Sequence, residues 1–503
     1  MSMLTNYVDA FQLLLDPTVI LMIAAGTILG LVMGALPGLT AAMTIALLIP
    51  LTFGLEPIQG IGMLLGGFVG AVAGGAIPAI LLGIPGTPSS VATTLDGYPM
   101  AKNGQAGKAL GIAISSSFVG GLVGAILLLL VAPPIANFAL RFGSAEFFAL
   151  GVFGLVIIAS VSGNSMSKGL VAGLIGLLLS TVGADRINAN LRFTGDEPAL
   201  IMGISLLPAL IGLFAVAQVL QDLATHKKDK KELNIANNVA DAKPYWGILG
   251  RSWKILTSST LIGTIVGAIP GAGGSISSFM AYDQAKRFSK TPEKFGKGHD
   301  EGLIASESAN NSMAGGALIP VLTLGVPGEV ATAVLMGGLT IQGVRPGPAL
   351  FEQQTTLAYG IFFAFIIANI FMFLTQLMGI KLFVRVLKVP AKILTPLILM
   401  FCVIGVYGVS GNFFELWLML GFGVLGFFLN RYGFGTAPVI LGLILGTLVE
   451  SNLRRGMLLF DGDWTQFLTR PISATLLGLS AVLLVIILFQ RRQDVKKGTN
   501  TGN

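Results

Sequence analysis

Within its apolar stretches this chain has few side chains able to do chemistry, and they gather around proline–glycine breaks. Pro270, Gly271, Gly273 and Gly274, with Ser275 and Ser277, form the densest group. Pro37, Gly38 and Thr40, with Thr44 behind them, form a counterpart 233 residues earlier (positions 37 and 270). A Pro-Gly pair inside an apolar helix removes one backbone donor, fixes one φ and frees the next, so it breaks the helix. The exposed N–H groups at the new helix starts attract carboxylates, and the freed carbonyls attract Na⁺. A second pair of breaks has Gly86, Thr87, Ser89 and Ser90 in the first half, and Pro327, Gly328 and then Glu329 in the second. These fifteen prolines, glycines and hydroxyl residues, from Pro37 to Gly328 and excluding Thr44 and Glu329, are the candidate substrate-binding set.

A further polar run, Glu307-Ser308-Ala309-Asn310-Asn311-Ser312, enters an apolar helix that carries no other charge until Glu329. Amides inside such a helix cost free energy unless partnered, which makes Ser308, Asn310 and Asn311 candidate ligands for a cation, a sodium ion in the first place. No other metal site and no cofactor are expected. Hydrolysis within the membrane would need a nucleophile and base, or paired carboxylates, at depth. The apolar runs hold no histidine and no paired aspartates, so the chain reads as a non-enzyme; an intramembrane hydrolase and a passive channel are the competing classes. His226 and His299 fall in charged loops, and the lone Cys402 supports neither a disulfide framework nor a thiolate cluster.

The elements that must position these residues are membrane helices. Only 11% of the 503 residues are charged and 53% are hydrophobic, against about 25% charged in a soluble domain. Uncharged runs long enough to cross the hydrocarbon include 18–40, 109–140, 147–167, 199–221, 353–380 and 393–414. The phrase Gly34-Ala35-Leu36-Pro37-Gly38 returns as Gly267-Ala268-Ile269-Pro270-Gly271, and Ala73-Gly74-Gly75-Ala76 returns as Ala314-Gly315-Gly316-Ala317. The expected fold is an all-α polytopic membrane protein of two internal repeats of about 240 residues, with roughly 10–12 transmembrane helices plus re-entrant or broken ones. The expected organisation is a first repeat over 1–222, a basic cytoplasmic connector over 223–254, a second repeat over 255–490 and a cytoplasmic tail over 491–503. The net charge of +7 is read as cytoplasmic bias of basic residues, not as nucleic-acid binding. The N-terminus, with Asp9 and Asp16 and no basic lead-in, does not read as a cleaved signal peptide.

Residues 255–269 make ~22 Å of helix, short of the ~30 Å hydrocarbon core. Basic runs flank both sides, so 255–285 is expected to be a hairpin with its tip at 270–274 near mid-membrane, and 18–53 is its counterpart with a longer first arm. Whether the repeats are parallel or inverted is open at this level. Gly62, Gly66, Gly70 and Gly74 place a glycine every four residues on one helix face, which predicts close helix packing.

The motifs carry a resemblance. Gly34 to Thr40, Leu82 to Pro88 with Asp96-Gly97-Tyr98-Pro99 and Gly107-Lys108-Ala109-Leu110, and Glu307 to Gly328 together resemble the large membrane subunit of tripartite tricarboxylate transporters, the TctA family. The resemblance spans nearly the whole chain. It implies a multi-pass subunit of the bacterial inner membrane that works with a small TctB-like membrane subunit and a periplasmic TctC-like solute-binding protein delivering a citrate-like di- or tricarboxylate. It further implies coupling to Na⁺ or H⁺ and no ATP hydrolysis. Ala73 and Ala76 depart from the family pattern, which often has an aromatic and a hydroxyl there, so they inherit no ligand role. A stand-alone carboxylate transporter without a binding protein is the nearest alternative. Lys108 is a further candidate charge partner for the substrate.

Overall fold

A computed structural model describes residues 3–161, 166–185, 187–195, 197–224, 242–387, 389 and 391–499. Most of the basic connector, with His226, lies outside them. The described chain is helical except for loops and one antiparallel pair of two-residue strands, Gly183–Ala184 with Leu191–Arg192. Eight described helices are long and apolar enough to cross a membrane. Five shorter apolar helices accompany them, among them two that begin at the breaks, within 41–52 and 330–341.

The first half builds its core from α1 (Pro17–Ala35), α2 (Ala41–Leu48), α3 (Pro57–Gly74), α4 (Ala76–Leu82), α5 (Val91–Lys102) and α6 (Ala106–Ala139). The second half uses α7 (Trp253–Ala268), α8 (Gly273–Phe288), α9 (Asp300–Leu324) and α10 (Val330–Ile341). α1 ends where Pro37 cannot continue the ladder and Gly38 turns to φ 99°. α7 ends in the same way at Pro270, with Gly271 at φ 84°.

Glycine sets the packing in both halves. A Cβ on Gly30 would lie 2.4 Å from the carbonyl oxygen of Gly67, and one on Gly70 would lie 2.4 Å from that of Thr27, so α1 and α3 touch backbone to backbone. In the second half a Cβ on Gly267 would lie 2.4 Å from the carbonyl oxygen of Met313 on α9. From Gly60 to Gly74 α3 is buried throughout and packs against protein on every side, and its glycine face makes the close approach that its spacing predicts.

The direction of each helix follows from which residues meet. Gly26, Gly30 and Gly34 meet Met63, Gly67 and Ala71 in rising order, so α1 and α3 run parallel. Gln59 at the start of α3 donates to Thr18 Oγ1 at the start of α1, 2.8 Å away. The intervening 36–56 must therefore return to where it began, and 17–56 is a hairpin with its tip at 36–40. By the same rule Gly263 and Gly267 meet Ala309 and Met313, α7 and α9 are parallel, and 253–288 is a hairpin with its tip at 269–272.

The hairpins enter from opposite ends of the molecule. Gly360, near the start of helix Thr355–Val386, contacts Ile58 at the start of α3. That helix runs antiparallel to α6, since Phe118 meets Phe373 and Gly121 meets Asn369. α6 in turn runs parallel to α9, through Gly120 on Ser308 and Gly124 on Ser312. α3 and α9 thus point in opposite directions, and the two hairpins are inverted relative to one another. At the end where α6 and α9 start, Lys108 pairs with Asp300 at 2.7 Å. Lys108 is thereby engaged away from the hairpin tips and is not a charge partner there. Nearby Asp96 Oδ1 accepts the backbone N–H groups of Gly296, Gly298 and His299 at 2.8–2.9 Å, and its Oδ2 accepts from Tyr282, which locks α5 to the loop between α8 and α9.

A candidate substrate site at converging helix starts

Both hairpin tips border one cavity of about 530 Å³. Four helix starts face it. Thr40 caps α2, its Oγ1 accepting the N–H of Met43 at 3.2 Å. Thr87, Pro88 and Ser89 open the 3₁₀ turn that leads into α5. Gly273 and Gly274 begin α8, and Glu329 caps α10 in a capping box with Thr332. The first N–H groups of a helix have no intrahelical acceptor and carry the positive end of its dipole, so the cavity is an anion-attracting site built without a cationic side chain.

The residues singled out from sequence divide between the wall and its support. Thr40, Thr87, Ser89, Gly271, Gly273, Gly274, Ser275 and Pro327 line the cavity. Pro37 and Gly38 form the first tip, and Pro270 the second, without lining it. Gly86 and Gly328 seat each break: a Cβ on Gly86 would be 2.2 Å from the carbonyl oxygen of Gly34, and one on Gly328 would be 2.6 Å from that of Gly267. The Gly328 carbonyl also accepts the Gly271 N–H at 2.6 Å. Ser90 is buried and shares a 3.0 Å hydrogen bond with Thr87. Ser277 is turned inside its own helix, donating to the Gly274 carbonyl at 2.9 Å.

Of the three candidate cation ligands, Asn310 stands nearest the cavity wall. Its Oδ1 is buried without a hydrogen-bond partner, and a Cβ on Gly274 would be 3.4 Å from that oxygen. Asn311 instead donates to the carbonyl oxygen and side chain of Glu307, at 3.1 and 3.4 Å. Ser308 donates within its helix to the Ala305 carbonyl at 3.4 Å. Glu307 itself is fully buried, accepting from Thr93 and from Ser117 at 2.9 Å.

The model of the tripartite tricarboxylate transporter TctA family matches residues 20–441. This chain belongs to the TctA family. A protein of Agrobacterium vitis described as an uncharacterized 52.8 kDa protein in the TAR-I ttuC' 3' region is 38% identical over 492 residues, covering 97% of each chain. A second from the same organism, an uncharacterized protein in the TAR-II ttuC' 3' region, is 40% identical over 226 residues, 45% of this chain and 93% of its own. No solved structure matches.

Several wall residues were not in the set picked from sequence. Gln218, Asn430 and Thr436 come from helices far from any Pro-Gly break and carry no local signal of a role. Glu329 stood beside a predicted break and was left out of the set, although an acid in an apolar segment is itself a signal. Among the lining residues it is the one ionisable side chain.

Proposed function

We propose that this chain is the large transmembrane subunit of a binding-protein-dependent secondary transporter that imports an organic di- or tricarboxylate by cation symport. The observation that carries the reading is the convergence on one cavity of four helix starts, two of them belonging to opposed hairpins, with no lysine or arginine in its wall. Backbone N–H groups and the hydroxyls of Thr40, Thr87, Ser89 and Ser275 are the donors it offers, and they suit several carboxylate groups spread over a small molecule. Membership of the TctA family supports the partners: a small membrane subunit and a periplasmic solute-binding protein. The basic residues at 286–297, and Lys381 and Arg385, support a cytoplasmic face at the end where Lys108 meets Asp300, and a bacterial inner membrane is part of the proposal.

The test is uptake of a panel of labelled di- and tricarboxylates into cells or vesicles carrying the chain with and without its two partners. The reading expects accumulation of at least one acid that requires the binding protein and collapses with the ion gradient. Equal uptake without the binding protein overturns the tripartite part, and uptake indifferent to the gradient overturns symport.

A further inference from the structure

We propose that Glu329 is the site at which a monovalent cation is coupled to the anionic substrate. The proposal deepens the carboxylate-transport reading and rests on it. Glu329 occupies an unusual position for an acid: it caps α10 and also stands against the start of α8, with Oε2 3.7 Å from where a Gly273 Cβ would stand. The protein's own carboxylate thus stands beside donors that a substrate carboxylate needs. Two carboxylates at one pair of helix starts repel each other, and no lysine or arginine lines the wall to offset them. Substrate therefore enters with a proton on Glu329, or with Na⁺ held between Glu329 and the substrate. Either one neutralises the acid and leaves the N–H groups at the start of α8 to the substrate.

The surroundings supply a further oxygen for the cation. Asn310 Oδ1, buried and unpartnered, borders Gly274, next to the Gly273 that Glu329 borders. Three other acids on α5 and α9 are committed elsewhere. Glu307 is held by Thr93, Ser117 and Asn311, Asp96 by Tyr282 and three backbone N–H groups, and Asp300 by Lys108; none of them lines the cavity. The structure thus leaves Glu329 as the acid whose charge the arriving substrate meets.

The experiment compares wild type with Glu329→Gln in vesicles holding the complete transporter. The amide keeps the shape and accepting oxygen of a neutralised carboxylate, so exchange of internal for external substrate is expected to persist while gradient-driven accumulation is lost. Varying pH at fixed Na⁺, and replacing Na⁺ with choline at fixed pH, identifies which cation drives the wild type; the variant is expected to respond to neither. Accumulation by Glu329→Gln with the wild-type cation dependence overturns the proposal. Should that variant be absent from the membrane, Glu329→Asp is expected to accumulate substrate with a shifted cation dependence, and an unshifted one overturns it. Substrate binding to the purified wild type gives a check that needs no variant: it must take up H⁺ or Na⁺, and binding indifferent to both overturns the assignment. A wild type that moves no carboxylate refutes the transport reading and the assignment with it.

Discussion

Glu307 shows what one buried acid demands of its neighbours. It is fully buried, and Thr93, Ser117 and Asn311 reach it from two other helices and from one turn further along its own. Each of those donors left unpaired inside the protein costs about 1–3 kcal/mol. Glu307→Ala is therefore expected to lower the melting temperature of the purified protein clearly, and Glu307→Gln much less, since the amide oxygen still accepts from one hydroxyl and the amide NH2 donates to the oxygen of the other. Equal losses in the two variants would show that volume, not hydrogen bonding, sets the cost. Thr87 and Ser89 test the opposite property, contact with substrate. Their hydroxyls bond to each other at 3.0 Å and also face the cavity. Thr87→Val and Ser89→Ala are expected to raise the substrate concentration needed for half-maximal uptake, by roughly tenfold for a lost hydrogen bond to a charged group, while leaving the amount of protein in the membrane unchanged. Unaltered half-saturation in both would remove the 3₁₀ turn from the site.

At the scale of elements, glycine decides whether α1 and α3 can touch. Gly30→Leu forces a side chain into the Gly67 carbonyl, 2.4 Å from the Cβ position, with backbone on both sides and nothing that can rotate away. Loss of folded protein is expected, read as absence from the membrane fraction; a folded, active variant would show that the two helices separate freely. A different device holds the loop around strands 183–184 and 191–192. Asp185 accepts the N–H groups of Asn188 and Ile187 at 3.0 and 2.8 Å and pairs with Arg454, while Arg192 reaches Glu450 at 2.5 Å. Those backbone donors, and then Arg454, hold the Asp185 carboxyl well below the usual range. Because the folded form has the lower pKa, the stabilisation is present above the unfolded value near 3.8 and is lost as pH falls below it. Asp185→Asn is expected to speed hydrogen exchange in 183–203 at neutral pH and to match wild type only in strong acid, and equal rates at pH 7 would exclude the anchor. Sequence revealed the first of these elements and not the second. A Pro-Gly pair or a four-residue glycine spacing acts through local geometry and is legible in one stretch. Asp185 with Arg454, Lys108 with Asp300, and the contributions of Gln218, Asn430 and Thr436 exist only after distant helices have packed.

For the whole molecule, the two hairpins enter from opposite ends and bring Thr40 and Ser275 to one cavity. The duplicated phrase announced the breaks, but their opposed entry follows only from helix directions. Such a pair gives a transporter two equivalent routes of access, one past each hairpin, and a substrate bound between the tips touches both. Under the proposed symport, access must then alternate, because a cavity open past both tips at once would conduct the driving cation without substrate. The chain is suited to a direct test, since its single cysteine, Cys402, is fully buried. A cysteine placed singly at Thr40 or Ser275 reports exposure of one tip to a membrane-impermeant thiol reagent added from one side. We expect saturating substrate to slow labelling at both positions, because both line the space it fills, whereas a cysteine at Phe288 outside the cavity should label at an unchanged rate. Labelling at Thr40 and Ser275 that ignores substrate would mean that the cavity between the tips is not where the substrate binds.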